Sequence, residues 1–545
     1  PTDTKTLIYT YNPTYDDAGS QLNESSGQFA LMYTAIENAN LAIAGLRKYG
    51  SVETDAGMRY LLGESLVLRA FFYFDLIKAW GDVPMRFQPI GETGDVNKPR
   101  SDRDEIYKQI IADLEEAVDY VDWPGEGVRT GTVTRVNKAF AYGLLARVCL
   151  SAAGYAQRPD EGRIGTGDIG SNRRSKLVEA RQERGDNILY TKALDACKAV
   201  IAKENVCVKL EGSFEEIWRD MMKRQVSAGG ETLFVIPFAD NRGQWMNNYA
   251  IRHATADKYC GKAGAGGTIG PVPTLFYEYD KADRRRDVTC IPYRWNGGKQ
   301  ELENVQKWYC GKYRYEWMND VISGNDCGIK PILMRYADVL LMAAEAANEL
   351  NDLPYAKEQL RKVRYRAFKS NEAVDKYLEG IGSKGAMFKA IYRERMLEFS
   401  CEQIRKQDLI RWGLLKKSLD DVKGKMKAML DHTTYTSELT DKTYDFSLVG
   451  TKVYYKYDAD GETIQLHGLD FGEAGEPDGE GWTLYTSKKT DGTLEEEYIK
   501  SGTTSTGRID MIYQYDPDVH MFWPIFKQSI TTNSLLANDY GYPVR

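Results

Sequence analysis

If this chain performs covalent chemistry, the residues best spaced for it are Arg395, Glu398, Glu402, Arg405, Asp408 and Arg411. Steps of three and four put them on one helix face, where two carboxylates could stand near the separation of about 5 Å that a retaining glycosidase uses. A general acid needs a raised pKa, however, and arginines interleaved with carboxylates lower it. An ion-pair ladder that holds structure is the simpler reading. His253, His432, His467 and His520 are far apart and lack metal-ligand spacing, which makes them loop or surface residues. Asp458-Ala459-Asp460-Gly461 opens like a calcium loop, but its glycine comes too early and Leu469 stands where the twelfth-position Glu is needed. A hairpin turn accounts for it better. Gly261 to Gly270 completes neither a dinucleotide nor a Walker pattern and reads as a mobile loop, and no GxSxG elbow supports a serine nucleophile. No cofactor and no metal are expected.

Non-covalent capture is better provided for. Sugars are held by flat aromatic faces packed on their C–H faces, with amides and charged groups taking the hydroxyls. The chain has 36 Tyr and 10 Trp, several of them in polar, glycine-rich stretches where a core would not use them. Two groups stand out: Tyr9, Tyr11, Asn12 and Tyr15 near the start, and Trp245, Asn247, Tyr249, Trp295, Trp308 and Trp317 in an irregular middle. These ten are the candidate ligand-binding residues. Trp80, Trp218, Trp412 and Trp523 lie in or beside helical segments and read as core.

Composition narrows the partners. Lys+Arg 72 against Asp+Glu 79 gives a formal charge of -7, and no basic tract is present to neutralise a run of phosphates, so nucleic acid is not expected. Apolar stretches fall short of the roughly 20 residues of a membrane helix. Pro1 opens a polar sequence with neither signal peptide nor lipidation cysteine, so any membrane attachment is expected to come from a lipid or a segment absent from this chain. The eight cysteines contain no CxxC pair and define neither a zinc site nor a disulfide framework; Cys149, Cys197 and Cys401 read as buried residues of helices.

The elements that must position these groups are mostly helical. Apolar residues recur at three- and four-residue spacing from Gly27 to Lys48, and Met58 to Trp80 is apolar nearly all round, which predicts an enclosed helix stopped by Gly81-Asp82-Val83-Pro84. Further helices are predicted over 101–120, 135–154, 191–203, 334–350 and 354–368, with 384–417 running helical again. Small residues inside these helices, such as Ala139, Gly143 and Ala146, suit closely packed, tetratricopeptide-like hairpins. The expected fold is therefore mainly α: a tetratricopeptide-like helical hairpin scaffold with long irregular loops and a β-rich insertion. The scaffold helices occupy about 27–154, 190–203 and 334–417, the loop-rich ligand side 204–333 and the insertion 432–520, all in one domain spanning 1–545. Hairpin signals in the insertion are Tyr454, Tyr455 and Tyr457 before Asp460-Gly461, and Leu484 to Lys489 before Asp491-Gly492.

Several motifs, in order along the chain, resemble the SusD/RagB family of outer-membrane nutrient-binding lipoproteins. They are Tyr33 to Asn40 (YTAIENAN), Glu64 to Pro84 ending in WGDVP, Phe276 to Arg286, Arg335 to Leu350, Val363 to Ala367 (VRYRA), Arg393 to Trp412, Pro524-Ile525 and Asn538 to Tyr542. The resemblance implies a non-catalytic, lipid-anchored protein of the cell surface. Such a protein binds a glycan and passes it to a SusC-like TonB-dependent transporter in the outer membrane; peptide capture, as in the RagB branch, is the alternative. A glycoside hydrolase and a protein-interaction scaffold are the readings from other classes.

Overall fold

The computed structural model describes residues 10–16, 21–24, 27–94, 96–178, 188–488, 492–499 and 503–545. Its frame is a set of helical hairpins, α1 (Gln28–Tyr49), α2 (Ala56–Trp80), α3 (Arg103–Ala117), α4 (Lys138–Ala153), α5 (Ile188–Ile201), α7 (Tyr336–Glu349) and α8 (Leu353–Ala367), while the short α6 (Phe214–Met222) packs with Met246, Tyr313 and Trp317 of the irregular middle. Helix α2 packs between α1 and α3, α4 packs on α5, and α7 on both α5 and α8, so one continuous core runs through the stack. The all-round apolar character of α2 is explained by this enclosure. Asp55 caps it by accepting from the backbone of Gly57 and Met58. Small residues do the expected work in α4, where a side chain at Gly143 would run into Met334. No helix among the described residues is long and apolar enough to cross a membrane.

One long helix predicted over 384–417 is instead three: α9 (Lys384–Phe399), α10 (Arg405–Arg411) and α11 (Leu415–Leu430). The first break holds Cys401 and Gln403 with left-handed φ of 68° and 63°, a conformation that strains residues with a Cβ. Cys401, expected inside a helix, therefore sits half-buried in a turn. Gly413, at φ 68°, makes the second break.

Strands are short. The chain of β1 (Thr232–Val235) pairs antiparallel with β4 (Ile332–Arg335), bracketing the irregular middle, within which β2 (Tyr293–Asn296) and β3 (Lys299–Leu302) form a hairpin. In the later β-containing region β5 (Tyr454–Tyr457) pairs with β6 (Ile464–His467) across the Asp460-Gly461 turn and with β7 (Thr483–Leu484) on its other edge. Ser487–Lys488 pairs with Leu494–Glu495; Asp491, between them, lies outside the described residues. The β5–β6 turn docks on the middle segment, where Gln300 donates its backbone N–H to the Glu462 carbonyl and Lys258 pairs with the Glu462 carboxylate.

Candidate functional site

The helix face that spacing predicts is broken after Phe399: Arg405 turns to the Tyr392 carbonyl and ring, and the other five charged residues are drawn into two buried networks. In the first, the Glu398 carboxylate is shared by Arg285 at 2.8 Å, Arg335 at 2.9 Å and Arg366. Glu231 bridges Arg335 and Arg366, while Glu394 joins Arg285 to Arg364. Burial alone would push the Glu398 carboxyl up, but the guanidiniums of Arg366, Arg335 and Arg285 overcome it and hold it well below the usual carboxylate range. In the second network Arg395 joins Asp338 and Asp408, and Arg411 joins Asp408 and Glu345. A carboxyl so fully paired cannot hold a proton for a leaving group near neutral pH. These clusters are structural.

The same holds for the N-terminal charged motif. Asp82 receives Arg103 through two nitrogens, and despite burial Arg103 and the Tyr540 hydroxyl hold its pKa low. Gly81 has φ 72°, and a side chain there would collide with the Tyr540 ring. Trp80 donates its indole N–H to the Pro524 carbonyl at 3.0 Å. The Trp-Gly-Asp turn is thus where the end of α2 meets the C-terminal segment.

The ten aromatic and amide candidates do not form one surface. Tyr9 lies outside the described residues. Tyr11 is buried in a cluster with Leu409, Phe522 and Tyr542, its ring under the Lys406 ammonium at 4.9 Å, while Asn12 and Tyr15 are half-buried. Trp295, Trp308 and Trp317 are 2%, 4% and 7% exposed, respectively. Trp295 packs with Ile251, Ile291 and Tyr309. Trp308 meets Phe276 edge-on at 5.3 Å, and Trp317 lies between the guanidiniums of Arg219 and Arg314, at 4.6 and 4.5 Å. None of these three presents a free ring face. His253, expected at the surface, is also fully buried, held by Asp257 at 2.7 Å and stacked near Trp295.

Trp245, Asn247 and Tyr249 differ. They lie on a single helical turn, Trp245–Tyr249, in which a four-residue step places the two rings side by side. The rings stack with centroids 4.6 Å apart and planes 11° from parallel, half-buried above Tyr313, whose ring tilts against both. Polar groups surround them. Gln403 donates to the Tyr249 hydroxyl at 2.6 Å, Lys262 donates to the Asn247 carbonyl oxygen at 3.2 Å and also reaches Asn325, and Gln244 and Asn248 are exposed. An aromatic pair ringed by amides and one ammonium is suited to holding polyhydroxylated rings, with C–H faces on the aromatics and hydroxyls on the rim. Gln403, Lys262 and Asn325 carry no local sequence signal; Gln403 reaches the site only because of the left-handed break that the periodicity of 384–417 conceals. The Gly261–Gly270 loop, read as mobile, is pinned by backbone bonds from Gly264 to His253, Gly267 to Ala250 and Thr268 to Asn248.

Comparison with known proteins agrees with this architecture. Residues 287–542 match the profile of the SusD family, and residues 7–150 match one described as starch-binding associating with outer membrane. SusD-like protein P25 of Formosa agariphila is 24% identical over 459 residues, covering 76% of this chain and 75% of the relative. A SusD homolog from Bacteroides thetaiotaomicron superposes with a TM-score of 0.59 at 22% identity, over 74% of this chain and 77% of that one. Surface glycan-binding protein A from the same organism, solved in complex with laminarihexaose, gives a TM-score of 0.52 at 19% identity, over 76% and 81% of the two chains. The chain belongs to the SusD/RagB family.

Proposed function

We propose that this protein binds oligosaccharide or polysaccharide chains at the cell surface without altering them and delivers them to a SusC-like TonB-dependent transporter. The observation that carries the reading is the Trp245–Tyr249 stack with its rim of Asn247, Lys262 and Gln403. The laminarihexaose complex of a similarly folded protein and the starch-binding, outer-membrane description of the N-terminal profile support glycan as the ligand and the outer membrane as the location. Attachment there would be through an N-terminal lipid. The absence of catalysis is supported by the depressed pKa of Glu398, the carboxyl best placed by sequence to act as an acid.

A glycan array run beside a peptide library tests the ligand class. Glycan binding with no shorter products after prolonged incubation is expected. Peptide-only binding would transfer the reading to the RagB branch, and products lost in Glu398→Gln would overturn the non-catalytic assignment. Recovery of a TonB-dependent transporter with the anchored protein from native outer membranes tests the partner.

A further inference from the structure

A second cleft, of about 350 Å³, opens between the glycine-rich loop, the segment around Trp308 and helix α11. Its size lies within the range of about 300–1,000 Å³ common for small-ligand pockets. Pro271, Val272, Met426 and Ile512 give it a partly exposed apolar wall, with the nearly buried Trp308 and Met429 also in the lining; Thr268 and Gln306 add polar atoms, and no Asp or Glu is among its lining residues. The two charged groups lining it are both cations, Lys307 and Arg508.

Neither cation is fully compensated. Lys307 is half-exposed, and the carboxylate that reaches it, Glu303, stands at 3.8 Å and is already engaged by Arg294 at 3.3 Å and the Tyr309 hydroxyl at 3.2 Å. Arg508 is exposed and forms no ion pair among the described residues. In a chain of formal charge -7 this is a local concentration of positive charge beside an apolar wall. The wall is closely built: a side chain at Gly270 would strike the Trp308 carbonyl, and one at Gly267, at φ 78°, would strike Arg252 and Tyr309. The same loop donates the N–H groups of Thr268 and Ile269 to the carbonyl of Asn248, which lies between Asn247 and Tyr249. The cleft and the aromatic pair are therefore joined through one short stretch of backbone.

We infer that this cleft is a subsite for an acidic sugar, taking the ring's C–H face on its apolar wall and the ring's carboxylate or sulfate between Lys307 and Arg508. This rests on the glycan-binding reading and names the ligand's charge. Arginine suits the anion because its planar fork meets a carboxylate or sulfate through two parallel hydrogen bonds. The site is open to water, so the contribution of both cations falls as salt rises.

The test uses the full chain and three acidic probes, each with its neutral counterpart: oligogalacturonate and its methyl ester, carrageenan oligosaccharide and its desulfated form, sialyllactose and lactose. Isothermal titration at low salt is expected to give at least one acidic probe an affinity about tenfold or more above its counterpart. The preference should shrink as salt is raised to 0.5 M and disappear in K307Q/R508Q, while neutral binding stays within about twofold. Which pair shows the effect separates carboxylate from sulfate recognition. Both substituted residues are solvent-exposed, and an unchanged melting temperature confirms that the variant is folded. Neutral glycans that bind with no preference for any acidic form, or a preference that survives in the double variant, would overturn the subsite and leave the glycan reading standing. Failure of every glycan, charged or neutral, would remove both.

Discussion

Tyr540 sets its hydroxyl against Asp82 across 458 residues of sequence, donating to the carboxylate while accepting from the Asp82 backbone N–H at 2.9 Å. Arg103 supplies the second donor at 2.8 Å, so the one proton and both lone pairs of the hydroxyl are used. This contact fastens the C-terminal Asn538–Tyr542 segment to the turn at the end of α2. Tyr540→Phe keeps the ring and strands the Asp82 N–H. A loss of about 1–3 kcal/mol in denaturant-induced unfolding is expected, the usual cost of a buried donor without a partner. An unchanged midpoint would mean that the two segments do not depend on this bond.

The buried carboxylates also make stability depend on acid. Asp82, Asp338, Glu394, Glu398 and Asp408 are all held below their usual pKa, each by facing arginines that outweigh the effect of burial. A depressed folded-state pKa gives stability that is complete above the unfolded value, near 4, and is lost as pH falls toward the folded value. Melting temperature should therefore vary little on account of these groups from pH 7 to about 5 and drop steeply below about 4. A flat profile down to pH 3 would show that the networks contribute no pH-dependent stability.

Glu398 is fully buried, and three arginine N–H groups already occupy its carboxylate, so it is not presented to a substrate. Its replacement by Gln leaves Arg285, Arg335 and Arg366 around a neutral amide. Removing one partner from a buried ion network costs about 3–5 kcal/mol because the remaining charges stay desolvated. Glu398→Gln is expected to lower the melting temperature markedly. Where the variant remains folded, its glycan affinity should match the parent's, since Glu398 lies in the core. A stable variant with altered binding would place Glu398 in the ligand site.

Much of the frame can be read in the sequence because helical periodicity and motif order are local signals. Of the motif residues, Asp82 bonds Tyr540, and Arg285 and Arg335 both pair with Glu398, so segments widely separated in sequence are joined in the core. The helix break at 400–404 is hidden because Cys401 and Gln403 adopt a conformation that their side chains disfavour, and tertiary contacts enforce it. The candidate site was legible only in part, and for a related reason. Residue type marks Trp245 and Trp295 equally, but exposure of a ring depends on which distant segments cover it. Ile251, Ile291 and Tyr309 cover Trp295, while the Trp245–Tyr249 turn stays at the surface.

That difference in cover sets opposite outcomes for two similar substitutions. Trp295→Ala empties a closed part of the core, and truncating a buried aromatic costs about 3–5 kcal/mol, so its main effect should be a lower melting temperature. Trp317→Ala should act the same way, since its ring spaces Arg219 and Arg314. Trp245 and Tyr249 are half-buried and carry less of the fold. Packing one sugar face on an aromatic ring contributes on the order of 1–3 kcal/mol, and 1.4 kcal/mol is about tenfold in affinity. Trp245→Ala and Tyr249→Ala are each expected to weaken glycan binding by about tenfold or more with nearly unchanged melting temperatures. Tyr249→Phe, which keeps the ring and loses only the bond from Gln403, should cost less than about fivefold. Calorimetric titrations and thermal melts of these five variants decide the matter: if Trp295→Ala weakens binding at unchanged stability while Trp245→Ala and Tyr249→Ala leave binding intact, the ligand surface is elsewhere in the middle segment.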